Sequence, residues 1–150
     1  MDDLQALNKR LLSQMEVPNL NLQTTINLVT ICLAKLRPSG HELDNLLTHL
    51  SSLSHQNPLD VASINKEYLM YARQTARDIT MGYFDGLIIL NIDLCQARVL
   101  ARLTNQQISE LSYRWDGTIF EMTAAAQSQV GKLHPAAVPH YSTALLAATA

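Results

Sequence analysis

DLCQARVLARLTNQQISELSYR, running from Asp93 to Arg114, holds two helix starts in close succession. Asp93 with Gln96, and Thr104 with Gln107, each pair an N-cap oxygen with a glutamine three residues on that can reach back to the cap. Leu94, Val99 and Leu103 mark the apolar face of the first helix, with Ala97 and Ala101 packed close. Ile108 and Leu111 mark the face of the second. Two short helices, about Asp93 to Arg102 and Thr104 to Arg114, separated by a tight break have the spacing of a helix-turn-helix. Asn105, Gln106, Gln107, Arg114 and Trp115 are residue types that can reach DNA. Any two capped helices packed into a core produce the same pattern.

Asn91 or Asp93 caps the first of these helices, and upstream of it the apolar run Leu87-Ile88-Ile89-Leu90 suits a buried strand or a buried helix equally. Gly82 interrupts a helix predicted from about Asn65 to Thr80, with Tyr68, Ala72, Ala76 and Ile79 on one face and Leu69 beside them. Ser54 to Pro58 reads as a polar linker. Before it, Leu43, Leu46, Leu47, Leu50 and Leu53 form a helix opened by a Ser39/Glu42 capping box. The preceding stripe Leu22, Ile26, Val29, Leu33 and Leu36 alternates steps of four and three, as a helix face does. Pro38-Ser39-Gly40 joins these two as an antiparallel αα-hairpin. Their leucine seams pack either on the protein's own core or on a subunit interface. A first helix carries Leu4, Leu7, Leu11 and Met15 and stops at Val17-Pro18.

Downstream, Gly117 supplies a turn, and Thr118-Ile119-Phe120 is a brief strand or the start of a last helix. Beyond about Val130, Pro135 and Pro139 preclude a continuous helix. The expected fold is therefore all-α: an amino-terminal αα-hairpin, a helix-turn-helix-like second half and at most one short strand. Three regions follow, with an amino-terminal helical region at 1–56, a helical domain at 60–128 and an Ala/Pro tail at 129–150.

The bulk numbers agree with a helical domain of 150 residues, 47% hydrophobic and only 5% aromatic. A formal net charge of −2 leaves the 11 Lys and Arg thinly spread. A chain that grips DNA unaided normally presents a basic face, so a partner is expected to supply much of the positive charge. No segment is long and apolar enough to span a membrane, and Met1-Asp2-Asp3 is unlike a secretory start, which places the chain in the cytoplasm. Cys32 and Cys95 make no disulfide framework and read as small buried thiols. Gly-rich phosphate loops, nucleophile elbows and paired metal-ligand histidines are missing. His41, His49, His55, His134 and His140 stand mostly in linkers and the tail. Asp78, Asp85 and Asp93 read as solvated helix ends rather than an acid-base pair. The expectation is a non-enzyme without cofactor or metal.

From Ile64 to about Met122 the sequence resembles FlhD, one subunit of the bacterial flagellar master activator, and its relatives on conjugative elements. The parallel opens with Ile64-Asn65, Tyr68-Leu69 and Ala72-Arg73-Gln74, in the manner of the family's Asn-x-x-Tyr-Leu-x-x-Ala helix. It passes through Leu90-Asn91-Ile92, where the family tends to place Leu-Gly-Ile. It is strongest over Val99-Leu100-Ala101-Arg102-Leu103-Thr104, Gln107, Ile108 and Leu111, and closes at Thr118-Ile119-Phe120, where the family has a Phe-Arg-Phe segment. The stretch Gly82-Tyr83-Phe84-Asp85-Gly86 departs from the polar turn expected there, and the amino-terminal third has no counterpart.

The resemblance implies a transcriptional activator subunit that self-associates, as a dimer, and acts on promoter DNA in a heteromeric complex with an FlhC-like partner that carries zinc and much of the DNA contact. The expected DNA or DNA-proximal residues are Arg98, Arg102, Gln106, Gln107 and Arg114, with Arg102 and Arg114 on phosphates. The alternative is a helical protein-protein adaptor or chaperone-like subunit without DNA binding, whose partner helix lies on Leu22, Ile26, Val29, Leu33 and Leu36.

Overall fold

The structure, a computed structural model, describes residues 3–14 and 31–123. It is mainly helical, with six helices and one short two-stranded sheet among the described residues. In order these are α1 (Asp3–Gln14), β1 (Ala34–Leu36), α2 (Gly40–Leu47), a 3-10 turn (Leu50–Ser52), α3 (Leu59–Thr80), α4 (Asp85–Leu90), α5 (Leu94–Ala101), α6 (Asn105–Arg114) and β2 (Phe120–Met122). The chain divides into a unit from Leu36 to Glu121 and a second unit made of the sequence on either side of it.

The Leu36–Glu121 unit is built around α3. Its 22 residues contain no internal Gly or Pro, and Ile64, Tyr68, Leu69, Ala72, Ala76 and Ile79 recur at helical spacing and are buried. Asp60 in the first turn and Arg77 in the last suit the helix dipole. α5 and α6 both pack on α3, α2 packs on α5, and the 3-10 turn packs on α6. Leu43, Leu100, Ile108 and Leu111 complete the core, and the Tyr68 and Phe120 rings meet at 5.0 Å with a 44° tilt. Fully burying each such side chain is worth about 1.5–3 kcal/mol.

Both capping boxes are complete. Asp93 accepts from the Gln96 backbone and Gln96 returns to the Asp93 N–H, and Thr104 and Gln107 do the same. The Leu87–Leu90 run resolves as helix α4, ending at Asn91 with φ 53° and ψ 51°. Asparagine suits this left-handed cap, since after glycine it enters the region at the lowest cost. Gly86 presses α4 onto α3, since a Cβ there would lie 2.6 Å from the Thr75 methyl and 2.9 Å from Ile79.

Two buried asparagines fix the chain after α6. Asn65 donates to the carbonyls of Ser112 (3.1 Å) and Gly117 (2.9 Å) and accepts from the Ile119 N–H (2.8 Å). Asn57 donates to the carbonyls of Ser112, Trp115 and Gly117 and accepts from the Gly117 N–H. Its backbone N–H adds a bond to the Tyr113 carbonyl at 2.7 Å. Because the Asn57 Oδ1 can only accept, His55 Nε2, 2.8 Å away, must carry the proton between them.

The αα-hairpin is the expectation the structure overturns. Leu33 and Leu36 do not continue a helical stripe: Ala34–Leu36 is a strand, with Ala34 and Leu36 buried and Lys35 exposed. The Arg37 N–H donates to the Ile119 carbonyl and the Thr123 N–H to the Leu33 carbonyl, a register that is antiparallel. In the unit outside Leu36–Glu121, Asn8 on α1 supplies the cause. Its amide donates to the Ile31 carbonyl and accepts from the Leu33 N–H, both at 2.9 Å, taking up backbone groups that a helix would use internally. Leu4, Leu7, Leu11 and Leu12 of α1 are buried together with Cys32, Leu33 and Ala34. The third predicted helix is also shorter than its leucine run: α2 ends at Leu47, and Leu50 belongs to the 3-10 turn. Leu22, Ile26 and Val29 of the seam, Met15, and the 129–150 tail lie outside the described residues.

Candidate nucleic-acid interface

α5, Arg102-Leu103-Thr104 and α6 form two capped helices across a three-residue break. Both are anchored on α3, which therefore sets their placement. The last carbonyls of α5 have no helical partner of their own, and arginines take that role. From α3, Arg77 Nε donates to the Ala101 carbonyl and Arg73 Nη1 to the Leu103 carbonyl, each at 3.2 Å. Arg102 Nε donates back to the Arg98 carbonyl at 3.2 Å, and its Nη2 lies 3.5 Å from Asp44 Oδ1.

Three guanidinium groups thus gather at one helix end. Arg77 and Arg102 are exposed and Arg73 partly so. Each backbone bond occupies only part of a five-donor fork, leaving donors for an anion. Asp44 offsets one charge, but with both side chains more than 60% exposed this pair is weak and screened. The cluster adjoins the first turn of α6, where Asn105 and Gln106 are exposed. Phosphate oxygens are the chemistry such an edge can hold.

The five expected contact residues separate into different roles. Arg102 is in the cluster and Gln106 beside it. Gln107 is committed to the capping box, its Oε1 accepting from the Thr104 N–H at 2.9 Å. Arg114, half-buried like Arg73, donates from Nη1 to the Leu53 carbonyl at 2.5 Å and so ties the 50–53 segment to α6. Arg98 sits one turn back along α5, at the lip of an apolar groove of about 530 Å³ that Ile79, Met81, Phe84, Leu94 and Ala97 also line. Of the expected partner seam, Leu33 and Leu36 are buried within the fold and present no surface.

Sequence reasoning missed Arg73 and Arg77. Their signal was positional: they directly follow the buried Ala72 and Ala76, and so stand at the edge of the packed face of α3. It also missed an exposed apolar ridge. Met81, Tyr83, Phe84 and Ile88 are 73%, 69%, 58% and 74% exposed. The signal was the apolar content of Gly82 to Ile89 where a turn should be polar. Among the described residues no three His, Cys, Asp or Glu side chains stand together as a metal site. No described helix is long and apolar enough to cross a membrane.

Comparison with known proteins adds no neighbour: no family model, curated protein or solved structure matches this chain.

Proposed function

We propose that this protein is a cytoplasmic transcriptional activator subunit, FlhD-like, that self-associates and contacts promoter DNA within a complex whose second, FlhC-like subunit supplies most of the positive charge. The observation that carries this reading is the convergence of Arg73, Arg77 and Arg102 on the C-terminal end of α5, beside the exposed first turn of α6. Phosphate contact at the turn, with Gln106 toward the base edges, is how two helices of this spacing address a duplex. The net charge of −2 fits a subunit that does not hold DNA alone.

The test is promoter binding by the assembled complex as a function of salt. Arg77→Ala with Arg102→Ala leaves the fold intact and lowers affinity about uniformly across sequences, reducing the salt slope by about one for each phosphate no longer neutralised. An unchanged affinity and slope would remove this edge from the interface.

The apolar ridge favours a second reading, a helical adaptor without DNA. In that case the arginine changes leave complex formation untouched, and Ile88→Asp abolishes it.

A further inference from the structure

The groove where α3, α4 and α5 meet is shaped by the backbone. Gly82, at φ 104°, turns the chain out of α3 in a conformation that other residues rarely adopt. Met81 and Phe84, on either side of that turn in sequence, are exposed and wall the groove, with Leu94 at the start of α5 as a third wall. Its floor is the buried pair Ile79 and Ala97. The volume of about 530 Å³ falls within the roughly 300–1,000 Å³ of small-molecule sites. Arg98 brings the one charge in the lining, and no carboxylate lines the groove. Arg98 is exposed, and its guanidinium makes no ion pair among the described residues.

We propose that this groove binds a free single-chain amphiphile with one carboxylate, an alkanoate of medium length. The charge of the groove sets the sign and number: a single unopposed cation at the lip calls for a single anionic group. A guanidinium fork matches a carboxylate with two parallel hydrogen bonds, which selects that group among anions of one charge. The apolar walls and floor take the hydrocarbon, while the lip leaves the carboxylate at the water boundary, where it stays hydrated. A lipid surface is met by clusters of about four to eight cations beside apolar side chains, and here only Arg98 borders the groove. The site stands whether or not the chain touches DNA.

Isothermal titration of the full chain with decanoate, below the concentration at which it forms micelles, tests the proposal, with circular dichroism as the check on folding. Saturable binding is expected, and from octanoate to decanoate each added methylene tightens it about fourfold. Arg98→Gln weakens decanoate by about fivefold, the scale of a solvent-exposed charge pair, and leaves decanol binding unchanged. Leu94→Glu, in the first turn of α5 where an acid suits the helix dipole, keeps the fold and weakens decanoate by about tenfold or more. Arg77→Ala with Arg102→Ala leaves the decanoate affinity as it is, so a failure of the DNA reading and a failure of this site are separate results. Absence of saturable binding would overturn the proposal, as would binding indifferent to both Arg98→Gln and Leu94→Glu. Capture of the chain by anionic vesicles without uptake of free decanoate would assign the groove to a membrane surface instead. A dimer that Leu94→Glu breaks and decanoate leaves intact would assign it to a second copy.

Discussion

Asn65 has no exposed surface and yet answers three backbone groups, the carbonyls of Ser112 and Gly117 and the N–H of Ile119. Asn65→Leu leaves the Ile119 N–H without its partner in a dry interior, while the Ser112 and Gly117 carbonyls keep the Asn57 amide. It is expected to cost about 1–3 kcal/mol, seen as a lower urea midpoint, the range for an unsatisfied buried group. A change under about 1 kcal/mol would mean that water replaces the side chain. Cys32 offers a pH test. Burial pushes its thiol up from 9.0 to about 11, a backbone hydrogen bond at Ala34 opposing the rise. The folded state holds the proton after the unfolded chain has lost it. The stability this gives is therefore complete below pH 9 and is lost as pH rises toward 11. Cys32→Ala is expected to flatten that part of the stability profile by on the order of 2 kcal/mol, read from urea unfolding at pH 8 and pH 11. An equal fall in both proteins would assign it to other groups. These residue roles were only partly legible. The capping residues Asp93, Gln96, Thr104 and Gln107 act across three residues and can be read directly. Asn65 serves groups about fifty positions away, and nothing local reveals that.

At the scale of elements, one four-residue pattern appears twice with two outcomes. Leu33-Ala34-Lys35-Leu36 enters a strand, whereas Leu100-Ala101-Arg102-Leu103 ends a helix. Local propensity is almost the same for both, so distant partners decide. The first copy meets the Asn8 amide and pairs with β2; the second follows the Asp93/Gln96 box and has its carbonyls taken by Arg73 and Arg77. A helical stripe read from spacing alone could not see Asn8 or β2, and the hairpin expectation failed there. The alternation of Ala34, Lys35, Leu36 and Arg37 before Pro38 was the period-two signal that the leucines masked. Arg37 then finds Glu121 on β2 at 3.5 Å. Between helices, α2 lies tightly on α5 at Gly40. A Cβ on Gly40 would run into Cys95 Sγ and lie 2.8 Å from the Cys95 backbone carbon. A backbone atom cannot rotate away, so Gly40→Ala must shift α2 and is expected to destabilise by about 1–3 kcal/mol. Thermal unfolding measures it, and a neutral result would show that α2 moves freely against α5.

For the molecule as a whole, the sequence was most informative where order and spacing mattered and least where surfaces did. The helical class, the two capped helices and the long α3 all follow from periodicity and caps. Surface assignment did not follow, because exposure depends on packing: Arg114 and Gln107 each give a side-chain group to the fold, while Arg73 and Arg77 converge with Arg102 from another helix. The same convergence ties the functional account to the fold, since α3 both carries the core and delivers the arginines to the end of α5. A mildly acidic chain with one arginine edge and one apolar ridge suits a subunit of an assembly. The central claim is that this assembly sits on promoter DNA. Affinity capture of the tagged chain from its own cells, with identification of the retained proteins and sequencing of the retained DNA, tests it most directly. The account predicts a zinc-binding partner subunit and enriched promoter fragments, the fragments disappearing with Arg77→Ala and Arg102→Ala while the partner stays bound. A protein partner recovered without enriched DNA would contradict it and leave the adaptor reading in its place.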